Sequence, residues 1–337
     1  MTRNFQEVRR RALRGSLLGA VGWVALGMWA VEPALAQKDY PAKPVRLVVG
    51  FAAGGPTDVV ARAFADHAGK ALGQPFVVDN KPGANTILAA QAVAGAPADG
   101  YTLLFGATNH SMIPGLYQGR VKFDVVRSFR PLCTVASSAT VLVVGPGMQV
   151  HNLQEYMEQA RSRPGSVTAG TAGMGSSGHF ATEMFAAARG LKLNHVPYKG
   201  AAPVVTDLMG CQLDSSFATL GSVLPQVRSG KLAALAVASP KRSSLLPQVP
   251  TFAEAGGGDY SADVWYGVLA PAGIPDSVAQ ALERVAVEFA KSASAADKLH
   301  GLGMDAESSC GSAFAQRVAG EVASYTQIAR KLNLKAD

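Results

Sequence analysis

Strand-like and helix-like segments alternate along most of this 337-residue chain, and this alternation limits the folds available to it. Val45–Val49 is an apolar run typical of a buried strand, and the segment after Pro56 places apolar side chains at helical spacing. Further strand-like runs occur at 75–78, 101–105, 141–144, 167–171, 192–197, 232–238 and 264–270, with helix-like segments between most of them. Such alternation predicts an α/β fold of mostly parallel sheets with helices on both faces.

The alternation restarts once along the chain. An apolar strand stands near each junction, at 141–144 and at 264–270, and the C-terminal part is helical at 275–293 and near 311–332. We therefore expect two domains joined by two crossover segments.

The first 36 residues are typical of a secretory signal peptide. Four arginines at positions 9, 10, 11 and 14 precede an uncharged stretch at 15–31, and Ala34-Leu35-Ala36 supplies a small-x-small cleavage site. Cleavage is expected after Ala36. The alternative is an uncleaved membrane anchor, for which the apolar run is short.

Composition excludes several classes of function. The chain is 48% hydrophobic and 16% charged, so it can bury a large core. Residues 1–36 hold five Arg and two Glu, so cleavage lowers the net charge from +7 to +4. The remaining basic residues are dispersed, and no nucleic-acid surface is expected. Cys133, Cys211 and Cys310 are too far apart for a metal motif; one pair can bridge, and the sequence does not say which.

Two glycine-rich stretches follow strand-like runs and precede helices, FAAGGPTDVV at 51–60 and GTAGMGSSG at 170–178. Glycines at such a position let a partner approach the backbone N–H groups that open the helix, where the helix dipole favours anions. The simpler interpretation of the first stretch is a tight strand-to-helix turn. Asp58 lies about three residues into its helix, so a capping contact is the simpler interpretation of that residue too.

Two enzyme classes fit these stretches poorly. Gly173, Gly175 and Gly178 satisfy GxGxxG, but no acidic residue ends the next strand to hold a ribose, so no dinucleotide cofactor is expected. Ser176 and Ser177 lack the GxSxG spacing of a hydrolase nucleophile, although histidines at 110, 179 and 195 leave a Ser–His arrangement open. No metal-binding motif is present, and we expect neither metal nor cofactor.

The remaining candidates lie where strands end, which is where open α/β sheets bind ligands. They are backbone amides, hydroxyls, one amide side chain, one phenol and one ammonium. The arrangement can bind a carboxylate at each end without chemistry.

Several motifs together resemble one known family over nearly the whole mature chain. They are YPAKPVRLVVGFAAGGPTDVVAR (40–62), NKPGAN (80–85), ADGYTLL (98–104), GSSGHF (175–180), VPYKG (196–200), GKLAALAVASPKRSSLLPQVPTFAEAG (230–256) and WYGVLAPAGIP (265–275). The chain is similar to the Bug (TctC-type) extracytoplasmic solute receptors of tripartite tricarboxylate transporters.

The resemblance implies a two-domain periplasmic binding protein of the Venus-flytrap type. Domain 1 is expected at residues 37–140 plus 263–337 and domain 2 at 141–262, with the ligand cleft between them. Loop main-chain and hydroxyl groups grip carboxylates in this family. Carried over residue by residue, the expected ligand-binding residues are Ala53, Gly54, Gly55, Thr57, Asp58, Thr108, Asn109, Gly175, Ser176, Ser177, Tyr198 and Lys199. For Lys199, a surface charge is the simpler interpretation.

Two departures from the family pattern bear on the ligand. Ala52-Ala53 replaces the usual two prolines, and Ala218-Thr219 stands where many members carry an acidic residue. We add Ala218 and Thr219 to the expected site. A cleft without that carboxylate favours a simple organic acid over an amino acid.

The expected function is periplasmic capture of a small carboxylate, such as a di- or tricarboxylate, for delivery to a membrane permease of the tripartite tricarboxylate type. The protein is expected to be a monomer and not an enzyme. The alternatives are a secreted α/β hydrolase using Ser176 or Ser177, and a receptor domain for a sensor kinase.

Overall fold

Two β-sheets organise residues 40–198 and 200–335, which are the residues that the computed structural model describes. The signal peptide predicted at 1–36 and the candidate Lys199 lie outside them. Both sheets belong to the unit Lys43–Asp337. In the described ranges, no helix combines the length and hydropathy needed to span a bilayer.

The first sheet has six strands in the order β11-β4-β10-β3-β1-β2. Their bounds are β1 Val45–Val49, β2 Phe76–Asn80, β3 Thr102–Ala107, β4 Phe129–Ser138, β10 Val264–Pro271 and β11 Asp305–Ala306. β1 pairs in parallel with both β2 and β3, whereas β10 runs antiparallel between β3 and β4. Every residue of β10 is buried, because helices cover both faces of the sheet.

Six helices accompany this sheet. They are α1 Pro56–Leu72, α2 Ile87–Ala94, α3 Asn109–Tyr117, α8 Asp276–Lys291, α9 Ala293–Gly301 and α10 Gly311–Lys331. One core cluster joins Val48 and Leu104 of the sheet to Phe314 of α10. The fully buried Trp265 ring meets Phe314 edge-on at 4.9 Å between centroids, which fixes α10 across the sheet.

The second sheet has five strands in the order β7-β6-β8-β5-β9. Its strands are β5 Thr140–Val144, β6 Thr168–Thr171, β7 Asn194–Pro197, β8 Ser215–Thr219 and β9 Ala233–Ala238; its helices are α4 Leu153–Ser162, α5 Ser177–Arg189, α6 Ala201–Met209 and α7 Leu220–Arg228. β6 pairs in parallel with β7 and β8, and β5 runs antiparallel to β8 and β9. Phe185, Phe217 and Phe252 form an aromatic core on one face.

The chain passes between the sheets twice. β4 leads through Ala139 into β5, and residues 239–263 connect β9 to β10. The Thr140 hydroxyl donates to the Ala262 carbonyl at 2.6 Å, so the two crossover segments touch. The α/β class, the two helix-flanked sheets and the two crossovers confirm the predicted fold. The expectation of mostly parallel sheets is wrong, because β10 and β5, the strands that follow the crossovers, each run antiparallel to both of their neighbours. The domain bounds 37–140 plus 263–337 and 141–262 stay a prediction.

Two helices are not predicted by the sequence patterns, and the reason is physical. Helices α3 and α7 carry Pro114 and Pro225 in their interiors, and interior proline normally argues against a helix. The cysteine pairing, which the sequence leaves open, is a disulfide between Cys133 and Cys310, with Cys211 free and exposed.

Candidate functional site

The expected site residues lie at or after the carboxyl ends of five strands, β1, β3, β6, β7 and β8. Loops after β1, β2 and β3 share one edge of the six-stranded sheet, because these three strands are parallel neighbours. Loops after β6 and β8 share one edge of the five-stranded sheet for the same reason. Each edge therefore gathers loops that are distant in the sequence, as binding sites of α/β proteins require.

Asp58 shapes the loop after β1 from inside. Its side chain is only 2% exposed and accepts hydrogen bonds from the Gly54 N–H (2.8 Å), Arg62 (2.9 Å) and Asn80 (2.8 Å). Burial by itself would raise the pKa of this carboxyl, but the bonds from Arg62, Gly54 and Asn80 outweigh it and hold the pKa below its usual range. Asp58 is thus occupied within the loop, by a contact related to the expected cap, although its backbone partner is Gly54, one residue before the N-cap Gly55.

The exposed groups of this loop are small. Ala53 and Gly54 are exposed, and a Cβ added to Gly54, at φ +83°, would have nothing within 4 Å. Gly55 precedes α1 with extended backbone, and Pro56 opens the helix. The first-turn N–H groups, including that of Thr57, have no intrahelical acceptor, so the helix start offers donors to an anion.

Two asparagines meet beside this loop. Asn109 Nδ2 donates to Asn85 Oδ1 at 3.0 Å, and the buried Asn85 Nδ2 has no hydrogen-bond partner. Ala84, Asn85 and Thr86 all have left-handed backbone, with φ of 45°, 49° and 73°. A β-branched residue in that region is strained, and such strain concentrates at functional sites. Asn85 is absent from the residues expected from sequence, although it ends the NKPGAN motif.

Thr108 has a different place. It is fully buried, and its hydroxyl accepts the Trp265 N–H at 2.9 Å, while its own N–H donates to the Trp265 carbonyl. These bonds attach the start of α3 to β10, so Thr108 orients Asn109 and exposes no group of its own.

The loop at 173–176 after β6 is fastened by its own side chains. Ser176 caps α5: its hydroxyl accepts the His179 N–H at 3.2 Å and donates to the Gly173 carbonyl at 2.7 Å. The Gly175 N–H donates to His179 Nδ1 at 3.0 Å. A Cβ on Gly175, at φ +72°, would lie 2.8 Å from Leu116 of α3, so this loop contacts the helices of the six-stranded sheet.

A small cavity of about 50 Å³ opens between this loop and the end of β8. Its lining is Ala172, Ser176, Ser177, Gly178, Ala201, Val204, Val205, Ser216, Phe217, Ala218, Thr219 and Ser222. Four of these were expected from sequence, namely Ser176, Ser177, Ala218 and Thr219. None of the lining side chains carries a charge, so the cavity offers hydroxyls and apolar surface.

Tyr198 is engaged away from that cavity. Its hydroxyl donates to Asp207 Oδ2 at 2.5 Å. Burial, together with the hydrogen bond and negative charge of Asp207, raises the pKa of Tyr198 to about 12. The phenol therefore stays protonated and holds the chain after β7 against α6.

His179, Glu183 and His195 form a cluster behind the 173–176 loop. The imidazoles of His179 and His195 stack at 4.0 Å between centroids, and His179 Nε2 lies 4.0 Å from Glu183 Oε1. The three ligand atoms are close enough together to suggest a metal. Yet Nδ1 of His179 accepts a hydrogen bond, so the ring proton sits on Nε2, the nitrogen that would have to bind the ion. The geometry does not suit a metal.

For Ser176, one of the two serines of the hydrolase alternative, the described residues supply no hydrogen-bonded base. Ser176 Oγ bonds the Gly173 carbonyl and the His179 backbone N–H, not an imidazole nitrogen. His179 presents Nδ1 to Gly175, and His195 Nε2 lies 2.7 Å from Thr171 Oγ1. No hydrogen bond thus joins Ser176 to a general base.

A larger cavity, of about 790 Å³, lies beside the crossovers and not at the expected site. Arg317 dominates it and pairs with Asp263 (2.7 Å), Glu307 (2.9 Å) and Glu321 (3.0 Å). Although burial opposes it, these carboxylates raise the pKa of Arg317. The ion network ties α10 to the second crossover.

We call each sheet with its helices a half of the molecule. An apolar cluster joins the six-stranded half to the five-stranded half next to the 173–176 loop. Phe180 of α5 is fully buried, and its ring lies 5.0 Å from that of Tyr325 in α10. The cluster consists of Met112, Leu116, Phe180, Tyr325, Ala329 and Leu334. Helix α5 therefore carries the Ser176 cap at its start and the contact to the six-stranded half one turn later.

Comparison with known proteins gives the class. R. palustris Rpa4515 with adipate is 32% identical with a TM-score of 0.75, covering 88% of this chain and 100% of that one. MatC from Rhodopseudomonas palustris with bound malate is 27% identical with a TM-score of 0.71, covering 86% of this chain and 100% of that one. The fold is that of the periplasmic binding proteins of the TctC/Bug type.

The sequence gives the family. Residues 60–334 match the profile of the tripartite tricarboxylate transporter family receptor, TctC. Protein BugT of Bordetella pertussis is 35% identical over 269 residues, which cover 80% of this chain and 82% of BugT. The chain belongs to the TctC (Bug) family of periplasmic solute receptors. Family and fold are both of the receptor type.

Proposed function

We propose that this protein captures a small organic carboxylate without an amino group, between the loops at the carboxyl edges of its two sheets. It does so in the periplasm, as a monomer and without catalysing a reaction, and delivers the ligand to a membrane permease of the tripartite tricarboxylate type. Adipate and malate, bound by two relatives, are the first ligands to test.

The observation that carries this proposal is the uncharged half-site beside the 173–176 loop. Its cavity is lined by hydroxyls and apolar groups, and Ala218 and Thr219 supply no carboxylate to pair with an ammonium. A buried ammonium without a partner is costly, so ligands with an amino group are disfavoured. The cavity of about 50 Å³ holds only one end of a dicarboxylate.

The other carboxylate lies, in this proposal, against the start of α1. Ala53, Gly54, Gly55 and Thr57 supply small exposed surface and helix-start amides. Asn85 adds an unpartnered amide donor held by Asn109. Asp58, Thr108, Gly175, Ser176 and Tyr198 shape the loops, each through the hydrogen bonds already described, and Ser177 and Thr219 contact the ligand.

Binding closes the two halves about the crossovers at Ala139 and 239–263, with the domains at 37–140 plus 263–337 and at 141–262. The apolar cluster around Phe180 supports this part of the proposal, because it spans both halves next to the site. Closure by hinge motion at a few loop residues is common among receptors of this shape.

A thermal-shift panel with matched pairs tests the ligand class. Malate is compared with aspartate, and adipate with 2-aminoadipate, so that each pair differs mainly at one substituent. We expect stabilisation by at least one of the plain acids and none by its amino counterpart, since a ligand that binds only the folded state raises the melting temperature. Stabilisation by aspartate or 2-aminoadipate alone would refute the proposal.

A further inference from the structure

The ring of His179 stands directly behind the loop that forms one wall of the proposed site. It is 1% exposed, and its Nδ1 accepts the Gly175 N–H at 3.0 Å. His179 thus reaches back from the first turn of α5 to a backbone donor four residues earlier. This bond and the Ser176 cap hold the 173–176 loop, together with a longer hydrogen bond from the Thr171 hydroxyl to the Gly173 carbonyl at 3.4 Å.

The ring itself is held in place. His195 of β7 stacks on it with an interplanar angle of 9°, and His195 Nε2 lies 2.7 Å from the hydroxyl of Thr171, the last residue of β6. A chain of contacts therefore runs from the sheet through both imidazoles to the Gly175 amide. Gly175 in turn lies against Leu116 of α3, so the loop that the ring contacts lies at the boundary between the halves.

We propose that His179 is a positioning residue for ligand binding: its neutral imidazole, protonated on Nε2, holds the 173–176 loop in the shape that the site needs. The consequence for affinity rests on the proposed function, whereas the loop contact is a property of the ligand-free protein. A protonated ring carries hydrogen on Nδ1 as well and cannot accept the Gly175 N–H. Acid therefore releases the loop.

The pH range follows from the surroundings of the ring. The titratable groups that face it are Glu183 on its own helix and His195 on β7, while strands β6 and β8 contribute none. Burial, together with His195, lowers the pKa of His179 to about 4. Burial also lowers the pKa of His195 and raises that of Glu183.

The change of folding stability with pH has the same sign for the imidazoles of His179 and His195. Their lowered folded-state pKa values mean that the unfolded state binds more protons, so stability is lost as pH falls below the ordinary value of 6.5, and for His179 the loss extends to about pH 4. The raised pKa of Glu183 acts in the opposite direction. Replacing His179 with a group that does not titrate should therefore flatten the acid side of the stability curve.

Two matched variants test the acceptor. His179→Asn places an amide oxygen near the position of Nδ1, and His179→Leu keeps an apolar side chain of similar size without an acceptor. We expect the Gly175 amide of ligand-free protein to exchange slowly in the wild type and in His179→Asn, and roughly tenfold faster in His179→Leu, the effect of about one hydrogen bond. Equal exchange in all three proteins would overturn the proposal, as would an Asn variant that behaves like Leu.

Imidazole ¹⁵N spectra of the wild type decide the matter even if the Leu variant does not fold. We expect bare Nδ1 and protonated Nε2 at neutral pH; the opposite tautomer overturns the proposal.

The pH dependence of the affinity is a further test. Adipate and malate are titrated into the wild type and His179→Asn from pH 7 to 4. Comparing the proteins with the same acid cancels its own titration, and we expect the wild-type affinity to fall more steeply. Parallel profiles overturn the acid release.

The ligand assay tests the proposed function, and the Gly175 exchange assay tests the role of His179, so a negative result in one does not decide the other. If the wild type binds neither acid, the proposed ligand class is contradicted, and the Gly175 exchange rates still decide the role of His179.

Discussion

At the scale of single residues, the proposed site depends on side chains that form hydrogen bonds within its loops. Asp58 holds the Gly54 amide, and Ser176 holds the Gly173 carbonyl. Such residues lie at the positions where the sequence predicts ligand contacts, because a loop rich in glycine needs side-chain partners to stay in one shape.

Replacing Asp58 with Ala should lower the free energy of unfolding by about 1–3 kcal/mol, because three donors, of which the Gly54 amide is one, lose a buried acceptor. Asp66→Ala is the matched control: Asp66 lies on the same helix in an exposed pair with Lys70, and its loss should leave denaturant unfolding unchanged. Equal effects of the two substitutions would contradict the role of Asp58. Since the folded-state pKa of Asp58 is lowered, its contribution is present above the unfolded value of 3.8 and is lost as pH falls below it.

Asn85 offers a test of the carboxylate near α1. Asn85→Asp replaces the unpartnered amide donor with a negative charge. It should weaken carboxylate binding at least roughly tenfold, which corresponds to about 1.4 kcal/mol of binding free energy. Asn194→Asp adds the same charge at the first residue of β7, the end away from the site, and should leave the affinity unchanged. Isothermal titration with the same acid measures both; an unaffected Asn85→Asp variant would remove Asn85 from the site.

At the scale of elements, the sequence predicts those strands and helices whose local pattern agrees with their place in the fold. β1, α1 and α2 are examples, with apolar runs and a proline at a helix start. Helices α3 and α7 contain interior prolines, which argue against a helix in the sequence, and they form because tertiary packing stabilises them. The loops of the site could be located from glycine and strand positions, but the partners of their side chains could not, since the Asp58–Asn80 and Asn85–Asn109 bonds join distant segments.

Helix α5 links the loop to the contact between the halves, and two of its phenylalanines separate these roles. Phe180 packs against Tyr325 of α10, whereas Phe185 packs only within the core of the five-stranded half. Each change to Ala should lower the free energy of unfolding by about 3–5 kcal/mol, as replacement of a buried phenylalanine in a core does. Only Phe180→Ala should also expand the folded protein in small-angle scattering. Equal scattering of both variants below their melting temperatures would contradict a contact that holds the halves together.

At the scale of the whole molecule, the account requires motion between the halves. In the proposed mode, one end of the ligand lies in the cavity near Ser177 and Thr219 and the other end lies against the start of α1. We therefore expect the two sets of loops to separate for entry and to close around the bound ligand. Adding a tight carboxylate should therefore change the scattering profile of the ligand-free protein toward a more compact form. Identical profiles with and without such a ligand would count against capture by closure.

The central claim is that a carboxylate lies between the two sets of loops, and a crystal structure with the most stabilising acid of the panel tests it most directly. The account predicts one carboxylate within hydrogen-bonding distance of the 53–57 segment and the other end of the ligand beside Ser177 and Thr219. A ligand found instead in the large cavity next to Arg317, with both sets of loops bare, would contradict it.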